Sequence, residues 1–256
     1  MGGLTPECIR PAAEGRSALW HLEQVGSTNA WAKEHMAQLN DLDVVYTTDQ
    51  TQGRGRLGRT WENAKDQGLY YSIVIRRPLV QPAAIPLLAS VAAARVLKAR
   101  WGVECLIKWP NDLLLNNKKL SGILCEGVAE GYVCGIGINL AQTKEFFAAA
   151  DLPYGGSVLT ETGVCPTAQD ARKLAIALTD EGFAPLMDEF ARQGFGAIRQ
   201  EYTAACVNLG RPVQFDGGQG VACGIDAEGC LVVECSTGRT AVFTGEVSVQ
   251  GIYGHL

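Results

Sequence analysis

Apolar positions along the chain repeat at two spacings. Ala32, Met36 and Leu39 recur at helical intervals behind Ser27-Thr28-Asn29, a start that suits a helix cap. Val44-Val45-Tyr46-Thr47-Thr48 is β-branched and aromatic and predicts a strand, and residues 69–75 predict a stronger one. Pro86 suits the opening of a helix whose Leu88, Val91, Ala92 and Val96 share one face. Residues 103–109 return to the strand pattern. Leu113-Leu114-Leu115 then begins a hairpin turned at Asn116-Asn117, residue types that tolerate positive φ, with residues 123–126 as the return arm. Residues 132–140 predict another strand, broken by Gly135 and Gly137. Residues 166–205 read as helix, with Met187, Phe190 and Ala191 on a common side.

Beyond residue 209 the rhythm shortens to strands at 212–215, 221–225, 231–235 and 240–249, with Asp226-Ala227-Glu228-Gly229 as a turn. The pattern predicts a loose leader over residues 1–16, an α/β domain over 17–207 and a small β-barrel domain over 208–256. No internal repeat or low-complexity tract is visible.

A chain of 256 residues with 47% hydrophobic and 19% charged content is long enough to bury a core and too apolar to be disordered. Its formal net charge of −5 argues against a general nucleic-acid binder, whose phosphate contacts need a basic surface. Nine cysteines without a CxxC pair read as buried thiols in a reducing compartment. The three histidines share no ligand spacing, so no metal-ligand set is expected. The N-terminus has no basic region followed by an apolar stretch, and no run reaches the roughly 20 apolar residues of a membrane span. A cytoplasmic protein is expected.

Within this acidic chain one segment stands apart. Gly53-Arg54-Gly55-Arg56-Leu57-Gly58-Arg59 follows a strand, and its glycines let backbone N–H groups approach a ligand while its arginines offer forks for carboxylate or phosphate oxygens. It lacks the GxxxxGK[ST] of a P-loop, and Thr60-Trp61-Glu62 does not open the helix of a dinucleotide site. We expect a mobile loop that closes over an anion. Lys108-Trp109-Pro110-Asn111-Asp112 ends a strand and places a cation beside two polar groups; alone it would pass for a strand-to-turn transition. Lys118-Lys119-Leu120-Ser121-Gly122 follows, with Lys118 read as a solvated hairpin tip. Gly135-Ile136-Gly137-Ile138-Asn139 puts glycines on one strand face, which leaves room for a flat or elongated ligand.

In this order and spacing the segments closely resemble the biotin protein ligases. The match is carried by Ser27-Thr28-Asn29, by Gln50 with residues 53–59 and Trp61, by residues 108–112, 119–126 and 135–139, and by Thr244-Gly245-Glu246-Val247-Ser248-Val249 near the end. It covers the chain from about residue 17 onward. The resemblance implies an α+β fold: a class II aminoacyl-tRNA synthetase-like catalytic domain of mixed or antiparallel sheet with helices, plus a small C-terminal SH3-like β-barrel. It implies formation of biotinyl-5′-adenylate from biotin and ATP with Mg²⁺, then transfer of biotin to a lysine of a biotin carboxyl carrier protein.

By the same resemblance, Ser27, Thr28, Asn29, Gln50, Gly122 and Gly137 would line the biotin pocket. Arg54, Gly55 and Arg56 would cover the biotin carboxylate and adenylate phosphate, and Lys108 would meet the carboxyl–phosphate linkage. Arg56, Arg59, Trp61, Asn111 and Asn139 would lie on the nucleotide side. Asp112 is either a contact for the acceptor amine or a turn residue, and Trp109 either stands near the nucleotide or packs in the core. Only 16 residues precede the matched region, so a helix-turn-helix domain and operator binding are not expected. Neither is a membrane partner; the expected state is a monomer or homodimer. The alternative is a lipoate or octanoate ligase or transferase of related fold.

Overall fold

The computed structural model describes residues 6–12 and 17–254. Strands β1 (Glu7–Arg10), β2 (Leu19–His21), β3 (Val44–Thr47), β4 (Gly68–Ile75), β5 (Leu106–Lys108), β6 (Asp112–Leu115), β7 (Lys118–Val128) and β8 (Gly131–Asn139) form one sheet, ordered β1-β2-β3-β4-β8-β7-β6-β5. β2 and β3 run parallel, and the other neighbours antiparallel. A parallel step needs a crossover, and α1 (Thr28–Glu34) supplies it. Ser27 caps that helix, its hydroxyl accepting from the Ala30 N–H at 3.4 Å. Asn116 and Asn117 take φ of 50° and 61°, as the hairpin between β6 and β7 requires.

Side-chain alternation divides the sheet cleanly. Leu69, Tyr71, Ile73, Ile136 and Ile138 face the main core, whereas Val74 and Val133 face α1 with Ala32 and Met36. Against the first face lies α2 (Ile85–Trp101), ended by Gly102 at φ 67°. The expected single apolar stripe on this helix is too narrow a description. Ile85, Leu87, Leu88, Ala89, Val91, Ala92, Ala93, Val96 and Leu97 are all buried, because the helix is covered by the sheet on one side and by a second helical layer on the other. That layer is α5 (Ala168–Ala177), a π-helical turn Leu178–Phe183, α6 (Ala184–Gln193) and α7 (Arg199–Ala205). The stretch Pro82–Trp101 is long and apolar enough to cross a membrane by composition, but its place is the middle of this core. Two short helices, α3 (Lys144–Ala149) and α4 (Val158–Thr162), lie in a region where the sequence pattern indicated none.

β9 (Pro212–Phe215), β10 (Gly218–Ile225), β11 (Leu231–Cys235), β12 (Gly238–Val242) and β13 (Val247–Val249) make a second, antiparallel sheet ordered β12-β11-β10-β9-β13. The strand expected over 240–249 is thus two strands. Residues 243–246 leave the ladder because Thr244, Gly245 and Glu246 turn toward the arginine loop. The segment 1–16 is not all loose: Glu7–Arg10 pairs with β2, and Arg10 is fixed by Ser17 O at 3.0 Å and by Asp180 at 2.6 Å. Residues 1–5 and 13–16 of that expected leader lie outside the described residues. Trp109 ties the two sheets together, its indole N–H donating to Gly229 O at 3.0 Å and its backbone N–H to Asn208 Oδ1 at 2.8 Å.

Candidate active site

The floor of the site is a single transverse row of the large sheet. Cross-strand partners run Tyr70 to Gly137, Gly137 to Gly122, Gly122 to Asp112 and Asp112 to Lys108. Directly opposed residues project to the same face, so sheet register brings Lys108, Asp112, Gly122 and Gly137 side by side although they are spread over four strands. Above them opens a cavity of about 520 Å³, a size suited to a small-molecule ligand.

The glycines of this row are covered. A Cβ placed on Gly122 would stand 2.6 Å from Trp61 Cζ3, and one on Gly137 2.7 Å from Trp61 Cε2. The indole of Trp61 therefore covers the pair, and the space left directly over these glycines is taken by this ring. Its N–H is buried without a partner among the described residues. Gly135, one row over, accepts Asn29 in the same way, with the amide oxygen 2.3 Å from a built Cβ.

The arginine loop is held by its own backbone. Trp61 N–H donates to Gly53 O at 3.0 Å and Gly55 N–H to Arg59 O at 2.7 Å. Leu57 and Gly58 take φ of 56° and 75° at the tip. The three guanidinium groups differ in their engagement. Arg56 donates to Asn111 Oδ1 at 3.0 Å, to Gly245 O at 3.2 Å and to Thr244 Oγ1 at 3.3 Å. Arg59 pairs with Glu246 at 2.6 Å. Arg54 is exposed and makes no side-chain hydrogen bond among the described residues.

Ser27, Thr28, Asn29 and Gln50 are all buried at the opposite end. Gln50 Oε1 accepts from Thr28 N–H at 2.9 Å and Thr28 Oγ1 at 3.2 Å, and Ser72 Oγ donates to Thr28 Oγ1 and Asn29 Oδ1. Asn29 Nδ2 donates to Leu124 O and to Glu126. Asn139, also buried, donates to Lys119 O and Gly156 O and accepts from Gln142. Asn29 and Asn139 thus brace the strands around the cavity as well as lining it.

Set beside known proteins, the chain matches the sequence model of the biotin/lipoate A/B protein ligase family over residues 22–142. It is 32% identical to a biotin–[acetyl-CoA-carboxylase] ligase of Paracoccus denitrificans over 253 residues, which are 90% of this chain and 100% of that one. This chain belongs to the biotin protein ligase family. It is also 30% identical to the bifunctional ligase/repressor BirA of Escherichia coli (strain K12), covering 90% of this chain and 73% of the relative. Of the Bacillus spizizenii bifunctional ligase/repressor BirA, at 29% identity, it spans 66% of the length. Among solved structures, the biotin protein ligase of Aquifex aeolicus in complex with biotin and ATP superimposes with a TM-score of 0.75 at 24% identity, over 91% of this chain and 98% of that one. That of Leishmania major in complex with biotinyl-5-AMP gives 0.58 at 22%, over 88% and 98%. At these identities the superpositions establish a shared mixed α+β fold.

In this biotin protein ligase fold the residues named from sequence converge on the one cavity, apart from uneven exposure along the loop. Trp109, 1% exposed, is a core residue; the Trp109–Pro110 peptide is cis. Lys118 is no free hairpin tip, since its ammonium donates to Pro153 O at 2.8 Å. Three groups were given no site role. Lys119 pairs with Asp112 at 2.8 Å, Glu246 holds Arg59, and the Tyr253 hydroxyl donates to Asp112 Oδ2 at 3.1 Å. Lys119 stands within the Lys118-Lys119 motif and Glu246 within the Thr244–Val249 segment of the resemblance, though neither was given a role; Tyr253 lies in the tail after the second sheet and had no signal.

Burial lowers the Lys108 ammonium below the ordinary lysine value; Asp112 and Glu246 pull it up, and Lys119 and Arg59 push it down. Glu126 behaves oppositely. Burial would raise it, yet hydrogen bonds from Lys33 at 2.6 Å and Asn29 at 2.8 Å leave it below the ordinary carboxylate value.

Proposed function

We infer that this protein is an ATP-dependent biotin–protein ligase, which forms biotinyl-5′-adenylate and then passes biotin to a lysine of a biotin carboxyl carrier protein. The observation that carries the reading is the convergence of Arg56, Lys108 and the Trp61-covered glycine pair on one cavity. The Paracoccus relative, named for biotin attachment to acetyl-CoA carboxylase, supports the acceptor class. The Aquifex ligase, solved with biotin and ATP, supports the substrates.

In the first step a biotin carboxylate oxygen attacks the α-phosphorus of ATP, a P–O bond forms, and pyrophosphate leaves with the electrons of the broken bond. Two anions must approach, so the step depends on fixed cations placed in a partly dry site. Arg54 and Arg56 meet the carboxylate and phosphate, with the Gly55 backbone between them, and Lys108 meets the new carboxyl–phosphate linkage. Magnesium arrives on the triphosphate as part of the substrate. Ser27, Thr28, Asn29 and Gln50 frame the biotin end, and Trp61 presents its indole face above Gly122 and Gly137. Arg59, Asn111 and Asn139 frame the nucleotide side. In the second step the acceptor amine, having lost a proton, attacks the acyl carbon, and AMP leaves as the C–O bond breaks. Asp112, in the floor row beside Lys108, is the carboxylate that meets the incoming ammonium.

The division at residues 207/208 separates a class II synthetase-like catalytic domain from an SH3-like domain, a reading supported by the five short antiparallel strands after residue 211. The test is the intact mass of a purified carrier domain after incubation with this protein, biotin, ATP and Mg²⁺. A gain of one biotin that needs ATP is expected. A gain only with lipoate would move the activity to the lipoyl branch of the family and overturn the assignment.

A further inference from the structure

Tyr253 holds a backbone conformation that bulky residues rarely adopt, with φ at 55°. Such conformations persist where surrounding contacts over-determine them, and here the contacts are specific. The phenol donates to Asp112 Oδ2 at 3.1 Å. The ring face lies beneath the Lys108 ammonium, 5.3 Å from the centroid. Its flank leans on Tyr154, at 5.8 Å between centroids. The other oxygen of Asp112 is taken by Lys119 at 2.8 Å. One residue of the C-terminal segment therefore touches both polar members of the row β5–β6 that face the cavity.

Lys108 has no hydrogen-bond partner for its ammonium among the described residues, although it is only 8% exposed. A buried lysine stem has many rotamers, and a ring face supplies a broad electrostatic seat that limits them. Asp112 on a strand end would likewise be free to turn, were its two oxygens not pinned from opposite sides. We propose that Tyr253 is a positioning residue of the ligase reaction: its ring seats Lys108 for adenylate formation, and its hydroxyl aims Asp112 for acceptor transfer. The proposal rests on the roles given above to Lys108 and Asp112.

The two halves of the residue can be removed separately. Tyr253→Phe keeps the ring and loses the donor; Tyr253→Leu loses both. In the full-length protein, ATP–pyrophosphate exchange with biotin reads adenylate formation. Transfer from preformed biotinyl-5′-adenylate to a carrier domain reads the second step. For Tyr253→Phe we expect exchange within threefold of the parent and transfer reduced at least tenfold. For Tyr253→Leu we expect both rates to fall at least tenfold in kcat with KM for biotin and ATP little changed. The alkaline limb of exchange should shift in pH, because the Lys108 ammonium loses the ring face and regains water. Equal loss in both steps for Tyr253→Phe, or an unmoved alkaline limb in Tyr253→Leu, marks a merely structural residue and overturns the proposal. So does retention of both steps within threefold in either variant. Lys108→Ala and Asp112→Asn serve as controls: if they leave exchange and transfer intact, it is the functional reading beneath the proposal that has failed.

Discussion

One Nη of Arg59 sits between the two carboxylate oxygens of Glu246, at 2.8 and 2.6 Å. With Arg56 bound to Gly245 O nearby, the turn between β12 and β13 holds the arginine loop by its charged groups. Both partners of the Arg59–Glu246 pair are largely exposed, and exposed pairs contribute only about 0–1 kcal/mol. Glu246→Gln should therefore leave the melting temperature nearly unchanged. It should speed tryptic cleavage within residues 54–59, because the loop loses its outer anchor. Limited proteolysis beside a thermal melt checks both; unaltered cleavage would show that the loop's own backbone bonds suffice.

Arg56 reaches an amide, a carbonyl and a hydroxyl at once, a geometry that depends on a planar fork. Arg56→Ala should slow adenylate formation by about 10²–10³-fold, the usual cost of removing a preorganised donor. Arg56→Lys should restore only a part, since an ammonium cannot span Asn111 and Gly245 together. Pyrophosphate exchange measures both variants.

For Lys108 the sign of the pH effect is fixed by burial. Its pKa in the folded protein lies below the ordinary lysine value. The folded state thus disfavours the ammonium, and the stability penalty is present at pH below the folded pKa and is relieved as pH rises through it. Activity runs the other way. If the ammonium meets the carboxyl–phosphate linkage, kcat/KM for adenylate formation should fall as pH rises through that lowered pKa, earlier than a solvent-exposed lysine would allow. In Lys108→Arg, whose guanidinium stays charged, the limb should disappear. A limb at the same pH in that variant would assign it to another group.

Gly137 tests the indole floor. A Cβ there meets Trp61 Cε2 at 2.7 Å, so Gly137→Ala must lift the ring off the sheet. Biotin affinity should drop roughly tenfold, about 1.4 kcal/mol, with the circular dichroism spectrum unchanged. Titration calorimetry with biotin alone gives the answer, and an unaffected Kd would mean that biotin does not use this face.

Much of this site could be read from the chain because its parts lie in short segments with their own chemistry. The glycine–arginine run, the Lys108–Asp112 segment and the Asn116-Asn117 hairpin each state a local geometry, and strand register does the rest. What escaped notice depends on distance along the chain. Arg59 and Glu246 are 187 residues apart, and although Glu246 stands in a segment that carries the resemblance, nothing local to it names Arg59 as its partner. Tyr253 was hidden for the same reason. The glycines misled in a different way, because small residues announce that something approaches the backbone without saying what. Here it is Trp61 and Asn29. Helix α2 was read as one-sided since periodicity reports where polar residues are absent, and a second helical layer over it cannot be inferred from that helix alone.

Trp109 hooks its indole onto Gly229 O from within the very segment that carries Lys108 and Asp112. The small sheet consequently supports the Lys108–Asp112 segment from below as well as neighbouring it. Were the chain cut after residue 207, the remaining piece would lose the carbonyl that holds the Trp109 indole, the Tyr253 ring over Lys108 and the turn that anchors Arg56 and Arg59. A foreign sheet grafted in its place would have to bring a carbonyl to that one ring nitrogen.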